Sequence, residues 1–228
     1  MDNALADRLA AVDERIRDAA RAAGRDLDEI TRIVVTKFHP AALVTDLYEL
    51  GVRHVGENRQ QELTAKRAEL DGIRDLTWHF IGQAQTNKAR AVRASADAVH
   101  SVDRARIADA LHAADPDAAP LDVLVQVNLT DDPGRGGVDP DGVSALATHV
   151  AGLSSLRLRG VMAVAPLDEE PARAFERLRR CADATRAVVG DATWISAGMT
   201  GDFPEAIEMG ATHLRIGSAI TGPRPARQ

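Results

Sequence analysis

The stretch Arg32-Ile33-Val34-Val35-Thr36 opens a pattern that repeats along the whole chain. Its centre is a run of β-branched apolar residues, which is typical of a buried strand. A helical pattern, Ala41–Leu50, follows within a few residues, and another strand-like run begins at His54. A strand, a helix and a further strand in this order predict two parallel strands joined by a helical crossover.

Strand-like runs and helical patterns alternate from this point to the end of the chain. The eight predicted strands are Arg32–Thr36, His54–Gly56, Thr77–Ile81, Ala98–Val102, Leu121–Asn128, Leu156–Met162, Thr193–Ser196 and His213–Ile216. The predicted helices between and after them are Ala41–Leu50, Arg59–Leu70, Asn87–Ala94, Arg104–Ala113, Asp141–Ala151, Glu170–Val189 and Pro204–Met209. The apolar stripe that predicts one more helix, at the amino terminus, is Leu5, Leu9, Val12, Ile16 and Ala20.

Eight alternating units in 228 residues favour one α/β architecture over the others. We predict a single (β/α)8 TIM barrel with an extra N-terminal helix, rather than an open doubly wound sheet. No linker-like segment divides the chain, so we expect residues 1–228 to form one domain. Residues 222–228 are expected to be a flexible tail.

The composition excludes several classes of protein. The net charge of −6, with no basic tract, argues against nucleic acid as a partner. The single cysteine, Cys181, excludes an internal disulfide and fits a reducing compartment. Neither a leader segment nor an apolar run long enough to cross a bilayer is apparent, so we expect a cytoplasmic protein without a membrane partner.

Lys37, which directly follows the first strand, is the leading candidate for chemistry. The 28 basic residues comprise 25 arginines and only three lysines, Lys37, Lys66 and Lys88. Lysine forms a Schiff base once its lone pair is free, whereas arginine does not. The alternative for Lys37 alone is a lysine that extends from a strand end into solvent.

The segments after the last two strands suggest an anion site. Strand seven is followed by Ser196-Ala197-Gly198-Met199-Thr200-Gly201-Asp202, and strand eight by Gly217-Ser218-Ala219. Phosphate sites of TIM barrels are often built from these two loops, although serine and threonine there also serve as ordinary helix caps. Arg215, inside the apolar strand eight, needs a partner. A lysine amine, a phosphate site formed by these two loops and an arginine at a strand end together predict pyridoxal 5′-phosphate (PLP) as the cofactor.

The chain also resembles the YggS/PROSC family, the pyridoxal phosphate homeostasis proteins, whose barrel is similar to that of alanine racemase and the other fold-type III PLP enzymes. The segments that carry the resemblance are Val35-Thr36-Lys37, Val55-Gly56-Glu57-Asn58, Trp78-His79-Phe80-Ile81-Gly82, His100-Ser101-Val102-Asp103-Arg104 and the block from Gly198 through Ser218. The resemblance implies that Lys37 is the Schiff-base lysine and that Thr200, Gly217 and Ser218 hold the phosphate. It also implies that Arg215 lies beside the pyridine nitrogen.

Three further residues are candidate cofactor contacts, each with a simpler alternative. Asn58 would bind the ring substituents or cap the following helix. His79 would face the ring from inside the barrel or be a hydrogen-bonded core histidine. Met199 lies beside Thr200 in the same loop. Histidines recur on strands two, three, four and eight, but no metal-binding spacing accompanies them, and we expect no metal.

We expect a protein that buffers or delivers PLP without robust turnover, rather than an enzyme. A racemase of this barrel type needs a second base, usually a tyrosine, and the one tyrosine here, Tyr48, is predicted to lie outside the barrel. The alternatives are a small PLP-dependent amino-acid racemase and a Schiff-base aldolase acting on a phosphorylated substrate. Apo-forms of PLP enzymes are the expected partners, and we expect a monomer.

Overall fold

The computed structural model describes residues 3–132 and 134–224, and its strands form one closed parallel barrel. The strands are β1 (Thr31–Val35), β2 (His54–Glu57), β3 (Thr77–Phe80), β4 (Ala98–Val102), β5 (Leu121–Gln126), β6 (Leu156–Met162), β7 (Trp194–Ser196) and β8 (His213–Ile216). Each strand pairs with the next in sequence, and β8 pairs with β1, which closes the cylinder. The predicted TIM barrel is therefore confirmed.

Helices follow the strands around the outside of the barrel. In the described residues they are α1 (Asn3–Ala22), α2 (Ala41–Glu49), α3 (Gln60–Glu69), α4 (Ala89–Ser95), α5 (Ala105–Ala114), α6 (Val143–Ala151), α7 (Pro171–Val188), α8 (Phe203–Glu208) and α9 (Ser218–Thr221). The last of these, α9, was expected to be a loop, because a single turn is too short to show a helical period.

The extra N-terminal helix is also confirmed, and its apolar stripe is its buried face. Leu5, Leu9, Val12, Ile16 and Ala20 are all buried, and α1 packs against α8 and α9. An ion pair between Asp13 and Arg32 ties the same helix to β1. The helix therefore covers the outer side of the barrel next to the seam where β8 meets β1.

Most predicted strands and helices end within one or two residues of the observed ends, and the predictions for β5 and the C-terminal tail illustrate the differences. β5 was expected to run to Asn128 but ends at Gln126, since Val127 leaves the strand and forms an isolated bridge with Val138. In the predicted tail, Arg224 lies with its guanidinium carbon 3.7 Å from the centre of the Phe38 ring. The rest of that tail, residues 225–228, lies outside the described residues.

Gly160 makes a β-bulge in β6 that only glycine accommodates. Val123 pairs with Leu158 and Leu124 with Gly160, so Arg159 is the extra residue of β6. Gly160 has a φ of +150°, and a Cβ built there would lie 1.9 Å from the carbonyl oxygen of Trp194. A side chain at this position would force β6 and β7 apart.

We predict that Gly160→Ala lowers the free energy of unfolding by about 3 kcal/mol, through backbone strain and the clash with β7. Gly72→Ala is the matched control, because a Cβ at Gly72 meets nothing within 4 Å; its unfolding free energy should change by less than about 1 kcal/mol. Urea denaturation measures both. Equal effects of the two substitutions would show that the bulge does not constrain the barrel.

Candidate functional site

The order of the strands brings four loops together at the carboxyl end of the barrel. β1 lies between β8 and β2, with Val34 paired to Ile216 and Val35 paired to Gly56. The segments that follow β1, β2 and β8 are therefore neighbours, and the loop after β7 joins them through β8. This end of a parallel barrel is where active sites of the fold lie.

Lys37 presents a primary amine that makes no hydrogen bond or ion pair within the described residues. Its side chain is half-buried, and its Nζ has no hydrogen bond or ion pair with any residue in 3–132 or 134–224. Its nearest recorded contact is with the Phe38 ring, whose centre lies 5.9 Å from Nζ. An amine held at a strand end in this way is available to a ligand.

The backbone beneath Lys37 is fixed by residues from β2 and α3. Lys66, buried on α3, donates to the carbonyl oxygen of Thr36 (2.8 Å) and to Oε1 of Glu57 (2.5 Å). The Thr36 hydroxyl donates to the same Glu57 oxygen at 2.6 Å. Burial raises the pKa of the Glu57 carboxyl, against the opposing influence of the Lys66 ammonium. Thr36 is thus held at its carbonyl and at its side chain.

The turn after Lys37 is strained and is held by a second residue of α3. Phe38 has a φ of +69°, which is rare for a residue with a side chain. Its N–H donates to Oε2 of Glu62 at 2.8 Å, and the N–H of His39 donates to the Thr36 carbonyl at 3.1 Å. These bonds set the direction in which the chain leaves β1, and with it the position of Lys37.

The loops after β7 and β8 lie side by side, as the anion site predicted from sequence requires. The backbone N–H of Arg215 donates to the carbonyl of Gly198 at 2.9 Å. Gly198 has a φ of +91°, and a Cβ there would lie 2.9 Å from the Ala206 Cβ, so this crossing needs glycine. Thr200 is half-buried, and the side chains of Met199 and Ser218 are exposed. Gly217 and Ser218 directly follow β8 at the same end.

Arg215 is a buried cation held by uncharged oxygen atoms. One terminal nitrogen donates to Oγ of Ser196 at 2.6 Å and the other to the carbonyl of Ala163 at 2.8 Å. Burial lowers the pKa of its guanidinium to about 10, with Asp202 acting in the opposite direction, so it remains charged at neutral pH. Among the described residues no carboxylate forms an ion pair with it, and its charge is available to a ligand.

Asn58 carries an unsatisfied polar atom at this end of the barrel. It follows β2 directly, and its Oδ1 is buried without a hydrogen-bond partner in the described residues. Its backbone lies so close to Gly82 that a Cβ there would be 1.9 Å from the Asn58 carbonyl oxygen. Buried acceptors of this kind are normally hydrogen-bonded, which indicates a place for a ligand group.

His79 lies inside the barrel rather than at its mouth. Its Nε2 is 3.0 Å from Nδ1 of His54, and its Nδ1 is 2.9 Å from Nε2 of His100. Both ring nitrogens are occupied by other histidines, so neither is free for a polar contact with a ligand. This arrangement favours the alternative of a hydrogen-bonded core histidine, and a direct cofactor contact through His79 stays a prediction.

Sequence reasoning missed the Glu57–Lys66 pair, although a signal for it exists. Lys66 was noted only as one of three lysines in an arginine-rich chain. Its side chain is 7% exposed and is paired with a fully buried Glu57. The scarcity of lysine was therefore informative at Lys66 as well as at Lys37.

Two further properties bear on the class of site. In the part of the chain that the structure describes, no group of three or more His, Cys, Asp or Glu side chains is arranged to hold a metal ion. No described helix has both the length and the apolar composition that a membrane span requires. The prediction that the site uses no metal stays a prediction.

This chain is similar to the members of one protein family. Residues 8–225 match the family described as alanine racemase, N-terminal domain. The pyridoxal phosphate homeostasis protein of Mycobacterium tuberculosis is 39% identical over 245 residues, which cover 99% of this chain and 95% of that protein. That of Escherichia coli is 40% identical over 230 residues, 97% of each.

A solved structure agrees with this grouping. PipY of Synechococcus elongatus, solved with PLP bound, matches with a TM-score of 0.83 at 34% identity, covering 96% of this chain and 100% of that one. The chain therefore belongs to the alanine racemase N-terminal domain family and, within it, to the pyridoxal phosphate homeostasis proteins.

Proposed function

We propose that this protein binds PLP reversibly at Lys37 and buffers or delivers it inside the cell, without robust turnover of its own. The observation that carries the proposal is the Lys37 amine, which has no hydrogen-bond or ion-pair partner in the described residues and follows β1 next to the segment after β8. The name of its relatives and the PLP in the PipY structure support the same cofactor.

The residues at the carboxyl end of the barrel fit this cofactor. The hydroxyls of Thr200 and Ser218, with the backbone N–H groups around Gly217, would hold the phosphate. The unsatisfied Oδ1 of Asn58 would accept a hydrogen bond from a ring substituent. When bound, the cofactor supplies an aldehyde that condenses reversibly with a primary amine, forming a carbon–nitrogen double bond and releasing water.

Arg215 would lie beside the ring nitrogen, and its chemistry favours storage over catalysis. Its bonds to Ser196 and Ala163 hold the guanidinium in one orientation. A guanidinium donates a hydrogen bond but does not give up its proton at neutral pH. It therefore leaves the ring nitrogen unprotonated, which weakens the electron withdrawal on which PLP enzymes depend.

The position of Tyr48 also supports a carrier rather than a racemase. Its hydroxyl donates to Oδ1 of Asp75 at 2.6 Å, and its ring stacks with Arg53, the residue before β2. This is the amino-terminal end of the barrel, opposite to Lys37. The single tyrosine of the chain is therefore far from the place where a second base would be needed.

We keep the monomeric state and the cytoplasmic location as parts of the proposal. The large hydrophobic side chains that are exposed among the described residues are Leu27, Leu167, Val188 and Met199. They lie on four separate segments of the sequence, which supports the expected monomer. Cys181 is a free and buried thiol, and a chain without an internal disulfide supports a reducing compartment.

We predict that Lys37→Ala raises the dissociation constant for PLP by about a hundredfold or more, because the covalent bond is lost. The wild-type protein should turn yellow with PLP, and borohydride should fix the adduct on the peptide that contains Lys37. Lys88→Ala removes a lysine that shares a cavity with Asn58 but does not follow β1, and it should still turn yellow and form the borohydride adduct on Lys37. Absorbance spectra and peptide mass mapping report these outcomes.

The delivery part of the proposal has its own measurement. The PLP-loaded protein should restore activity to the apo-form of a PLP enzyme placed in excess. A loaded protein that never passes its cofactor to any acceptor would contradict delivery but not binding. Exchange of an amino-acid α-proton in heavy water at a catalytically useful rate would instead identify a racemase, and a wild-type protein that stays colourless with PLP would favour the aldolase.

We predict that Lys66→Met lowers the free energy of unfolding by about 3 kcal/mol at neutral pH, because it leaves the Glu57 carboxylate buried without its cation. The loss should be smaller near pH 5 than near pH 8. Burial already raises the Glu57 pKa; without the ammonium it rises further. A carboxyl with a raised pKa favours the folded state below its unfolded pKa and loses that contribution as the pH rises.

The double variant Lys66→Met/Glu57→Gln is the control, since it removes both charges and should recover part of the stability. Urea denaturation at the two pH values measures all three proteins. PLP binding by Lys66→Met should also weaken about tenfold, because the Thr36 carbonyl loses a donor and the Lys37 turn loosens. A pH-independent effect of Lys66→Met would contradict the assigned role of Glu57.

A further inference from the structure

A line of hydrogen-bonded side chains crosses the interior of the barrel from β2 to β8. Nδ1 of His54 is 3.0 Å from Nε2 of His79, and Nδ1 of His79 is 2.9 Å from Nε2 of His100. Nδ1 of His100 is 2.9 Å from Oγ of Ser196, which in turn contacts Arg215 at 2.6 Å. The line begins at the first residue of β2 and ends at the buried guanidinium.

Arg215 determines the direction of the hydrogen bonds at its own end of this line. A guanidinium has only donors, so the Ser196 oxygen accepts from Arg215. The Ser196 hydroxyl hydrogen must then go to another acceptor, and Nδ1 of His100 is the remaining partner recorded for it. His100 is therefore unprotonated at Nδ1 and carries its hydrogen on Nε2.

The same constraint passes along the remaining rings. With its hydrogen on Nε2, His100 donates to Nδ1 of His79, which leaves the hydrogen of His79 on its own Nε2. His79 then donates to Nδ1 of His54, so His54 also carries its hydrogen on Nε2. A neutral imidazole has one donor and one acceptor, and each ring uses both in this order.

The opposite direction leaves a buried group unsatisfied. If His100 donated to Ser196, the serine oxygen would accept two hydrogen bonds and its own hydrogen would have no acceptor among the described residues. Ser196, His79 and His100 are completely buried, so such a loss costs the full desolvation of the hydroxyl. Only one of the two directions satisfies every atom.

The surroundings keep the three histidine rings neutral and provide a solvent acceptor for the N–H of His54. Burial lowers the pKa of His79 and of His100, and burial together with the Arg32 charge lowers that of His54, so the rings are neutral and keep this order of donors and acceptors. His54, the one ring of the three that is not fully buried, lines a cavity of about 370 Å³ at the amino-terminal end of the barrel. The Nε2–H of His54 can donate to water there.

We propose that His54, His79 and His100 are positioning residues that form a one-directional hydrogen-bond chain and hold Ser196 as an acceptor for Arg215. The chain fixes the guanidinium in the orientation that it presents to the carboxyl end of the barrel. Its effect on a bound ring nitrogen rests on the proposed function, whereas the direction of the chain does not.

The direction is measurable without any ligand, by nitrogen NMR of the protein with ¹⁵N-labelled histidine at neutral pH. We expect His54, His79 and His100 to be neutral and to carry hydrogen on Nε2 alone. Any of the three found as an Nδ1–H tautomer, as a mixture or as a cation would overturn the proposal. Since no cofactor is present, failure of PLP binding leaves this result unaffected.

Ser196→Ala tests whether the serine carries the constraint. The variant removes the link to Arg215, so the three rings should lose their single tautomer and give mixed or averaged signals. Ser155→Ala is the matched control, because the Ser155 hydroxyl also bonds a histidine Nδ1, that of His112, at 2.7 Å. It should change the His112 signals alone. Unchanged tautomers in folded Ser196→Ala would show that Arg215 does not set the direction.

A second readout separates positioning from a structural role. With PLP labelled at the pyridine nitrogen, Ser196→Ala should shift that nitrogen resonance and raise the dissociation constant about tenfold, while Ser155→Ala should do neither. A Ser196→Ala protein with the wild-type nitrogen resonance would contradict positioning of Arg215. If the wild-type protein does not bind PLP at all, the proposed function fails. The histidine tautomers still test the direction of the hydrogen-bond chain in that case.

Discussion

The hydrogen bonds of β1 to both β8 and β2 are the constraint on which the site depends. They close the barrel and set the register that places Lys37 beside the segment after β8 and beside Asn58. The Glu57–Lys66 pair then fixes the last residue before Lys37, since it binds both the carbonyl and the hydroxyl of Thr36. Closure of the barrel and one buried ion pair together determine the position of the Lys37 amine.

The three cationic side chains near this end of the barrel differ in the partners that they bind. Lys66 is paired with Glu57, and its charge is compensated within the core. Arg215 is held by the neutral oxygens of Ser196 and Ala163, which orient it without cancelling its charge. Lys37 has neither kind of partner among the described residues. An anionic ligand with an aldehyde would therefore meet one oriented cation and one free amine, the combination that the proposed PLP site requires.

The barrel was predictable from the sequence because strands and helices have different hydrophobic periods. Segments with the two periods alternate along the chain without interruption. It also made Lys37 and Arg215 candidates for the site, since a cation at a buried strand end is conspicuous. It did not identify the Glu57–Lys66 pair or the order of His54, His79 and His100. Those contacts join residues on different strands or helices, and their partners depend on register and side-chain direction, which no local pattern contains. The bulge at Gly160 was invisible for the same reason, because its cause is the neighbouring carbonyl of Trp194.

We propose that one amine, two loops and one guanidinium form a single PLP site. A crystal structure of the protein soaked with PLP decides whether they do. We expect electron density continuous between the cofactor and Lys37 Nζ, with the phosphate against Thr200 and Ser218 and the ring nitrogen facing Arg215. Density joined to Lys66 or Lys88, or a phosphate bound away from the loops after β7 and β8, would contradict it.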